Sequence, residues 1–331
     1  MDIKSLPKIE LHCHLDGSVR PQTVIDIAKN DGIELPTYDL DKIKKQMVAP
    51  MECKDLKDYL TRFNLPGLVM QSKGNLIRVT SELMADAARE NVKYIEIRFA
   101  PQLHTKEGLT IKEVISSVIV GMRIGEKKFG IRGNLILCCM RNFGVEKAFE
   151  VVENGREFLG MGVVGIDLCA NEDAGFCEVF QEPIKLAKEY GYRITIHAGE
   201  TGIGENVSDA VKLLGAERIG HGVFIKDCIE AYEIVKRQNI ALEICPTSNV
   251  QTRAVGSFSE HPVYNFMKDG IRVTLNTDNR TVSSTNLEKE INIIHKEFGM
   301  TYEEYKIIYS NSVEASFASE VMKAELMKFI K

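Results

Sequence analysis

The chain has 331 residues, of which 44% are hydrophobic and 27% are charged, a balance typical of globular proteins. Its formal net charge of −5, without any basic block, argues against nucleic acid as a partner. No apolar run approaches the roughly 20 residues that cross a bilayer, and the N-terminus lacks the apolar core of a secretory signal. We therefore expect a cytoplasmic protein with no membrane partner.

Eight short apolar runs, each suited to a buried β-strand, alternate along the chain with amphipathic helical patterns. The runs are Ile9–His14, Val92–Phe99, Asn134–Met140, Val163–Leu168, Arg193–His197, Arg218–His221, Ile240–Ile244 and Arg272–Asn276. The helical patterns include Leu109–Lys128, Phe176–Tyr190, Val207–Leu214 and Asp227–Gln238. Strand–helix alternation implies parallel strands with helical crossovers, and eight such units close a (β/α)8 or TIM barrel. With no linker or repeat in view, we predict the α/β class and one catalytic barrel domain over residues 1–331.

The segment 15–91 is far longer than one connection between a strand and the next requires. It contains helical patterns at Pro21–Lys29, Leu56–Phe63 and Gly74–Glu90. Because it follows the first strand, it would lie over the mouth of the barrel. We predict a helical insertion that roofs a pocket there.

Polar side chains concentrate at the predicted C-terminal strand ends, where TIM barrels carry their active sites. Four of the seven histidines lie at such ends: His12, His14, His197 and His221. His12 and His14, two residues apart on a strand, face the same side. Such a pair means little alone, but His197 and Asp278 reach the same edge with ligand types that zinc accepts. We predict one metal ion there.

The eight cysteines are scattered and include no CxxC pair, so we expect neither a disulfide framework nor a four-cysteine zinc site. The three other histidines have no evident partners, and we expect them to be structural or solvated: His104, His261 and His295.

Two further side chains at the mouth suit acid–base chemistry. Glu200 follows His197 by three residues, in the turn that leaves the fifth strand. Burial would raise the pKa of its carboxyl and let it deliver a proton, although an acid at a helix N-terminus is an alternative interpretation. His221 lies between Gly220 and Gly222, with room for a ligand. The alternative there is a buried, hydrogen-bonded histidine.

Six segments, in this order along the chain, together resemble the adenosine deaminase family of the metal-dependent amidohydrolases. They are Glu10–Ser18, Val164–Leu168, His197–Glu200, Arg218–Gly222, Cys245–Asn249 and Asn276–Asp278. The fourth predicted strand does not end in the bridging lysine of two-metal amidohydrolase barrels, which favours a single metal ion.

The resemblance implies one zinc ion, Zn2+, held by four side chains: His12, His14, His197 and Asp278. It implies hydrolysis of adenosine, and of 2′-deoxyadenosine, to inosine and ammonia in purine salvage. In that mechanism Glu200 protonates ring N1, while Asp278 and His221 orient the attacking hydroxide and take up its proton. Iron, cobalt or manganese could occupy such a site as well.

The resemblance also implies contacts to a small purine nucleoside. Asp16 would bind a ribose hydroxyl. Adenine deaminases of this fold generally carry glutamate there, so an aspartate favours the nucleoside over the free base. Tyr59 and Phe63, four residues apart, would supply apolar contacts, although plain core packing explains their spacing equally well. His14, one of the four metal ligands, would also contact the substrate.

Two positions depart from the family pattern. Ala170 stands where the family has a glycine whose N–H meets purine N3, and an alanine keeps that N–H but lacks glycine's ready access to positive φ. Asn279 stands where an aspartate usually contacts N7. We expect that contact to survive, because an amide N–H donates at any pH.

Three alternatives remain. The substrate could be a related 6-aminopurine: adenine, a 5′-modified adenosine or an aminofutalosine-type nucleoside. AMP is disfavoured, because no cluster of lysine and arginine is evident near the predicted mouth. The chain could also be an inactive nucleoside-binding barrel, but all four ligands, Glu200 and His221 are present. The oligomeric state stays open.

Overall fold

Eight parallel strands form a ring in the computed structural model, which describes residues 1–330. The strands are β1 Lys8–His14, β2 Val92–Phe99, β3 Arg132–Met140, β4 Val163–Cys169, β5 Arg193–Ala198, β6 Arg218–His221, β7 Ala241–Ile244 and β8 Val273–Leu275. Each strand pairs with the next along the chain. The ends of the sheet meet where Asp278, just after β8, bridges to Cys13 in β1. The predicted TIM barrel is therefore confirmed.

Helices fill the connections between the strands. Those between β1 and β2 are α1 Pro21–Asp31, α2 Leu40–Met47, α3 Leu56–Leu60, α4 Asn64–Val69 and α5 Lys73–Arg89. Those that follow β2 are α6 Ile111–Phe129, α7 Val145–Gly155, α8 Phe176–Val179, α9 Gln181–Tyr190, α10 Glu205–Lys212, α11 Ile229–Arg237, α12 Pro246–Gln251, α13 Val263–Lys268, α14 Leu287–Phe298, α15 Tyr302–Ala315 and α16 Glu320–Leu326. No helix among residues 1–330 has the length and apolar character needed to span a bilayer.

One predicted helical stretch, Phe176–Tyr190, is divided in the structure. The chain leaves helical geometry at Phe180, between α8 and α9. Pro183 supplies the reason, because it has no amide hydrogen and its ring would clash with the carbonyl of Val179 in a continuous helix. The prediction of a single helix was wrong at this point.

The interior of the barrel carries a layer of buried charges below its mouth. Arg98 donates to Asp167 at 3.0 Å and to Glu243 at 2.7 Å. Arg218 bonds Glu243 and Glu96, each at 2.6 Å. All five side chains are buried. Buried charges persist only when they are paired and hydrogen-bonded. The two arginines therefore hold the three carboxylates in place beneath the mouth.

The segment between β1 and β2 packs on the loops that follow β7 and β8. The Ala49 backbone donates to Val282 O at 2.8 Å and accepts from the Gln251 amide at 3.0 Å. The Tyr59 hydroxyl lies 2.6 Å from Ser283 Oγ. Because these loops leave the C-terminal ends of the strands, the α1–α5 segment contacts the mouth of the barrel.

Candidate metal centre and active site

Five side chains from four strand ends converge at the mouth. The donor atoms of four of them lie within 4.8 Å of one another: His12, His197, His221 and Asp278. The fifth, His14, has its Nε2 3.3 Å from His197 Nε2 and 3.4 Å from Asp278 Oδ1. The structure therefore brings together all four predicted metal ligands and adds His221 to the same cluster.

The cluster has the donor chemistry of a metal site. Imidazole nitrogens and one carboxylate suit a borderline cation such as zinc. His12 Nε2 is buried without a hydrogen-bond partner among the described residues, and it lies 3.3 Å from Asp278 Oδ1. A buried lone pair aimed at converging donors is costly unless a cation or a proton satisfies it. The residues present thus fit a metal ion.

Carboxylates behind two of the histidines orient their rings. His12 Nδ1 lies 2.9 Å from Glu243, and His197 Nδ1 lies 3.0 Å from Asp167. Each carboxylate accepts the Nδ1 hydrogen and leaves the Nε2 lone pair facing the cluster. Burial alone would raise the pKa of Glu243, but the charges of Arg98 and Arg218 outweigh it and hold that pKa well below its usual value. Glu243 therefore stays ionised and able to accept.

Backbone strain accompanies two members of the cluster. His221 and Asp278 have φ values of 65° and 57°, in the left-handed region that side chains other than glycine rarely adopt. Each such residue costs on the order of 1–2 kcal/mol. Asp278 is held there by backbone bonds to His12 and His14 and by Ser248, whose hydroxyl donates to its Oδ2 at 2.7 Å.

Glu200 lies beside the cluster as a buried acid. Burial, together with the charges of Asp278 and Glu172, raises the pKa of its carboxyl to about 8. Its Oε2 lies 3.6 Å from His221 Nε2. The Glu172 carboxylate accepts the backbone N–H groups of Gly199 at 2.7 Å and Glu200 at 2.9 Å, which fixes the turn. A carboxyl in this state can hold a proton at neutral pH.

Gly220 allows the rings of the cluster to approach one another. A Cβ at this position would lie 3.0 Å from His12 Cε1 and 3.2 Å from His197 Cα. The His12 and His221 ring centroids are 4.9 Å apart. The glycine before His221 therefore has a packing reason as well as the one expected from the sequence.

The residues predicted to contact a nucleoside lie in different settings. Asp16 follows β1, is buried, and accepts the Gly17 N–H at 3.1 Å. Burial raises the pKa of its carboxyl to about 6. Asn279 is buried, with no partner for its Oδ1 among the described residues, and an added Cβ on Gly17 would lie only 1.8 Å from that oxygen.

Ala170 requires a correction. Its φ is 74°, so the alanine adopts the left-handed conformation that its side chain was expected to hinder. Arg141 donates to the Ala170 carbonyl at 2.9 Å and to the His197 carbonyl, and these bonds hold the turn. The tertiary contacts outweigh the local preference of the residue.

Tyr59 and Phe63 belong to one small apolar cluster. Tyr59 is fully buried, and its ring centroid lies 6.3 Å from that of the half-buried Phe63. Ala49 and Val282 pack with them. Both interpretations of this pair, core packing and apolar contact with a ligand, are compatible with that position.

Six residues that support the cluster from behind were not predicted from the sequence. They are Arg98, Asp167, Glu243, Ser248, Asn249 and His261. His261 was expected to be structural or solvated, and it is the structural alternative that the fold shows, because the ring is buried and lies 3.2 Å from Asn249 Oδ1, a partner that was not foreseen. A usable signal existed for two of the others, because Asp167 and Glu243 interrupt apolar strands, where an acid needs a fixed donor.

A TIM barrel with this buried imidazole–carboxylate cluster at its mouth has the architecture of the amidohydrolase-type barrels, with a site suited to a metal ion. The family model described as adenosine deaminase matches residues 7–331. An adenosine deaminase of Clostridium botulinum (strain Okra / Type B1) is 55% identical over 331 residues, covering 100% of this chain and 99% of the relative. The chain therefore belongs to the adenosine deaminase family, whose members are hydrolytic deaminase enzymes.

Solved structures agree with that assignment. An adenine deaminase from Arthrobacter aurescens has a TM-score of 0.91 at 28% identity and covers 98% of each chain. An amidohydrolase from Burkhoderia ambifaria, solved with bound Zn, has a TM-score of 0.88 at 25% identity, covering 98% of this chain and 89% of that one.

Proposed function

We propose that the protein removes the 6-amino group of adenosine, and of 2′-deoxyadenosine, by hydrolysis to inosine and ammonia, using one zinc ion. The observation that carries this proposal is Glu200, a buried carboxyl with a pKa raised to about 8 that lies beside the imidazole cluster. Such an arrangement supplies an acid next to a metal site, as hydrolytic attack on an electron-rich ring requires. This activity would belong to purine salvage.

His12, His14, His197 and Asp278 would hold the metal ion. When bound, a zinc ion lowers the pKa of water so that a nucleophile is available near neutral pH. Glu243 and Asp167 bond the Nδ1 atoms of His12 and His197, so that the Nε2 lone pairs of these two rings face the cluster. This orientation supports the ligand set. The zinc-containing relative supports the choice of metal.

The chain's own groups would move the protons. Glu200 would deliver its proton to ring N1, which withdraws electrons from C6 and makes that carbon open to attack. Asp278, kept ionised near His12 and His14, would orient the attacking water and accept its proton. Ser248 donates to Asp278 Oδ2 and would hold that carboxylate in one orientation. We include His221 among the catalytic residues because its ring faces Glu200.

Other residues would hold the nucleoside. Asp16 would accept from a ribose hydroxyl, and the Ala170 N–H would donate to N3. Asn279 would donate an amide N–H to N7, which requires its Nδ2 and not the unpartnered Oδ1 to face the purine. Tyr59 and Phe63, with the rest of segment 15–91, would cover the pocket and exclude water, and the contacts of Ala49 and Tyr59 with residues 282–283 support this role.

The observations favour a nucleoside over a nucleotide. Arg141 and Arg280 follow strands at the mouth, but both are buried and already engaged. Arg141 donates to backbone carbonyls, and Arg280 pairs with Glu90. A phosphate would have to displace these bonds.

The comparisons also favour a nucleoside over the free base. The 55% identical relative is described as an adenosine deaminase, whereas the adenine deaminase is 28% identical.

The test follows absorbance during turnover by zinc-loaded protein with adenosine, 2′-deoxyadenosine, adenine and 5′-modified adenosines. Adenosine should have the highest kcat/KM of the set. A preference for adenine, or for a 5′-modified or aminofutalosine-type nucleoside, would replace the substrate assignment. No turnover of any of them, with metal shown to be bound, would favour an inactive nucleoside-binding barrel.

We further propose a cytoplasmic location, supported by eight free cysteines.

A further inference from the structure

A chain of three buried hydrogen bonds runs behind His221, on the side away from Glu200. The Val263 backbone N–H donates to His261 Nδ1 at 3.2 Å. His261 Nε2 lies 3.2 Å from Asn249 Oδ1, and Asn249 Nδ2 lies 2.9 Å from His221 Nδ1. His221, Asn249 and His261 are at most 2% exposed, so no solvent competes for these bonds.

The direction of every bond in this chain follows from its first donor. A backbone N–H can only donate, so His261 Nδ1 accepts and a neutral His261 carries its hydrogen on Nε2. Burial lowers the pKa of His261 to about 3, which keeps the ring neutral. The Nε2–H group requires an acceptor, which orients the Asn249 amide with its oxygen toward His261. Its NH2 group then donates to His221 Nδ1.

We infer that Asn249 and His261 are positioning residues that hold His221 in the tautomer with hydrogen on Nε2, making it a hydrogen-bond donor at the metal site and not a ligand. His12 and His197 provide the contrast within the same cluster. Carboxylates accept from their Nδ1 atoms and leave Nε2 lone pairs for the metal. The Asn249 amide, which donates to His221, has the opposite effect, although a ring nitrogen of His221 lies within 4.8 Å of the ligand atoms of His12, His197 and Asp278.

The consequence for the reaction rests on the proposed function. A His221 Nε2–H group can donate to the attacking oxygen or to Glu200 Oε2, 3.6 Å away. It cannot accept a proton at that nitrogen, so proton uptake from the water falls to Asp278. This assigns different tasks to His221 and Asp278, which the family resemblance had given jointly.

Asn249→Asp reverses the direction of the hydrogen bond to His221 with almost no change in the shape of the side chain. The introduced carboxylate still accepts from His261, but it can only accept from His221, whose hydrogen must then move to Nδ1. We expect 1H–15N correlation spectra of histidine-labelled, zinc-loaded protein to show His221 protonated on Nε2 in the parent and on Nδ1 in this variant. The visible absorption of the cobalt-loaded variant should change as well, because the freed Nε2 lone pair can coordinate. The kcat should fall at least about tenfold, with KM changing less than about threefold.

His261 allows a second test further from the metal. His261→Gln keeps an acceptor for Val263 and a donor for Asn249, so it should retain the tautomer and most of kcat, whereas His261→Leu should lose both. His295→Gln is the matched control, because the hydrogen bond to the Met300 carbonyl is the only one that the His295 side chain makes in the described chain. A parent His221 with hydrogen on Nδ1, or an unchanged tautomer in Asn249→Asp, would overturn the inference. A switched tautomer with unchanged kcat would overturn its catalytic part. If the tautomer behaves as expected but no nucleoside is deaminated, the inference stands and the proposed function fails.

Discussion

Ala170→Gly should stabilise the protein, although alanine-to-glycine substitutions usually do the opposite. Ala170 has a φ of 74°, and a left-handed conformation costs an L-residue on the order of 1–2 kcal/mol. Glycine removes that cost but adds about 0.4–1 kcal/mol of unfolded-state entropy. The net expectation is a gain of about 0.5–1 kcal/mol in the free energy of unfolding. The backbone N–H stays in place, so KM for adenosine should not change.

The measurement is a urea unfolding curve of the metal-loaded protein, compared with that of Ala88→Gly. Ala88 is a partly buried residue inside helix α5, where φ is right-handed. The same chemical change there should destabilise by about 1 kcal/mol, because glycine is a poor helix former. The two variants should therefore shift the midpoint in opposite directions. Equal losses in both would refute the claim that Ala170 is strained in the native state.

Four further predictions concern the site. Glu200→Gln should lower kcat by at least about 100-fold while metal content, measured by atomic absorption, stays the same; retained turnover would remove its proposed role. In the parent, kcat/KM should fall as the pH rises, because Glu200 loses its proton. Burial raises the pKa of Glu200 to about 8 and a bound cation lowers it again, so the fall should occur at or below pH 8. A flat profile from about pH 7 to 10 would contradict this. Asn279→Ala should raise KM for adenosine, and Gly17→Ala should do the same by displacing Asn279 Oδ1, which an added Cβ would approach to 1.8 Å; an unchanged KM in both would exclude the N7 contact. Glu243→Gln should weaken zinc binding by about 10- to 100-fold in chelator competition, since His12 loses its carboxylate partner; unchanged affinity would show that Glu243 serves only the charged layer.

The barrel could be predicted because its signals are local. Each strand is a short apolar run, and each crossover helix has its own apolar periodicity, so both can be recognised without any long-range contact. The strand ends then identify the mouth, since all parallel strands deliver their C-terminal residues to the same side. The same rule places His12, His197 and Asp278 together from the sequence alone.

The local signals failed at two places, one set by a proline three residues away and the other by a contact from far along the chain. The break at Phe180 needed the proline three residues later, which a helical periodicity does not register. Ala170 was expected to resist a positive φ, yet Arg141 and the surrounding turn impose one. In both places a specific steric or hydrogen-bonding contact overrides an average preference.

Residue types and their order along the chain therefore determined the barrel, the edge that carries the chemistry and the set of candidate ligands. Only the tertiary structure decided what each group can do there. His12 and His221 are both histidines at strand ends, but a carboxylate lies behind one and an amide behind the other. The position of the hydrogen on an imidazole depends on that partner, and the partner is brought to it by the fold.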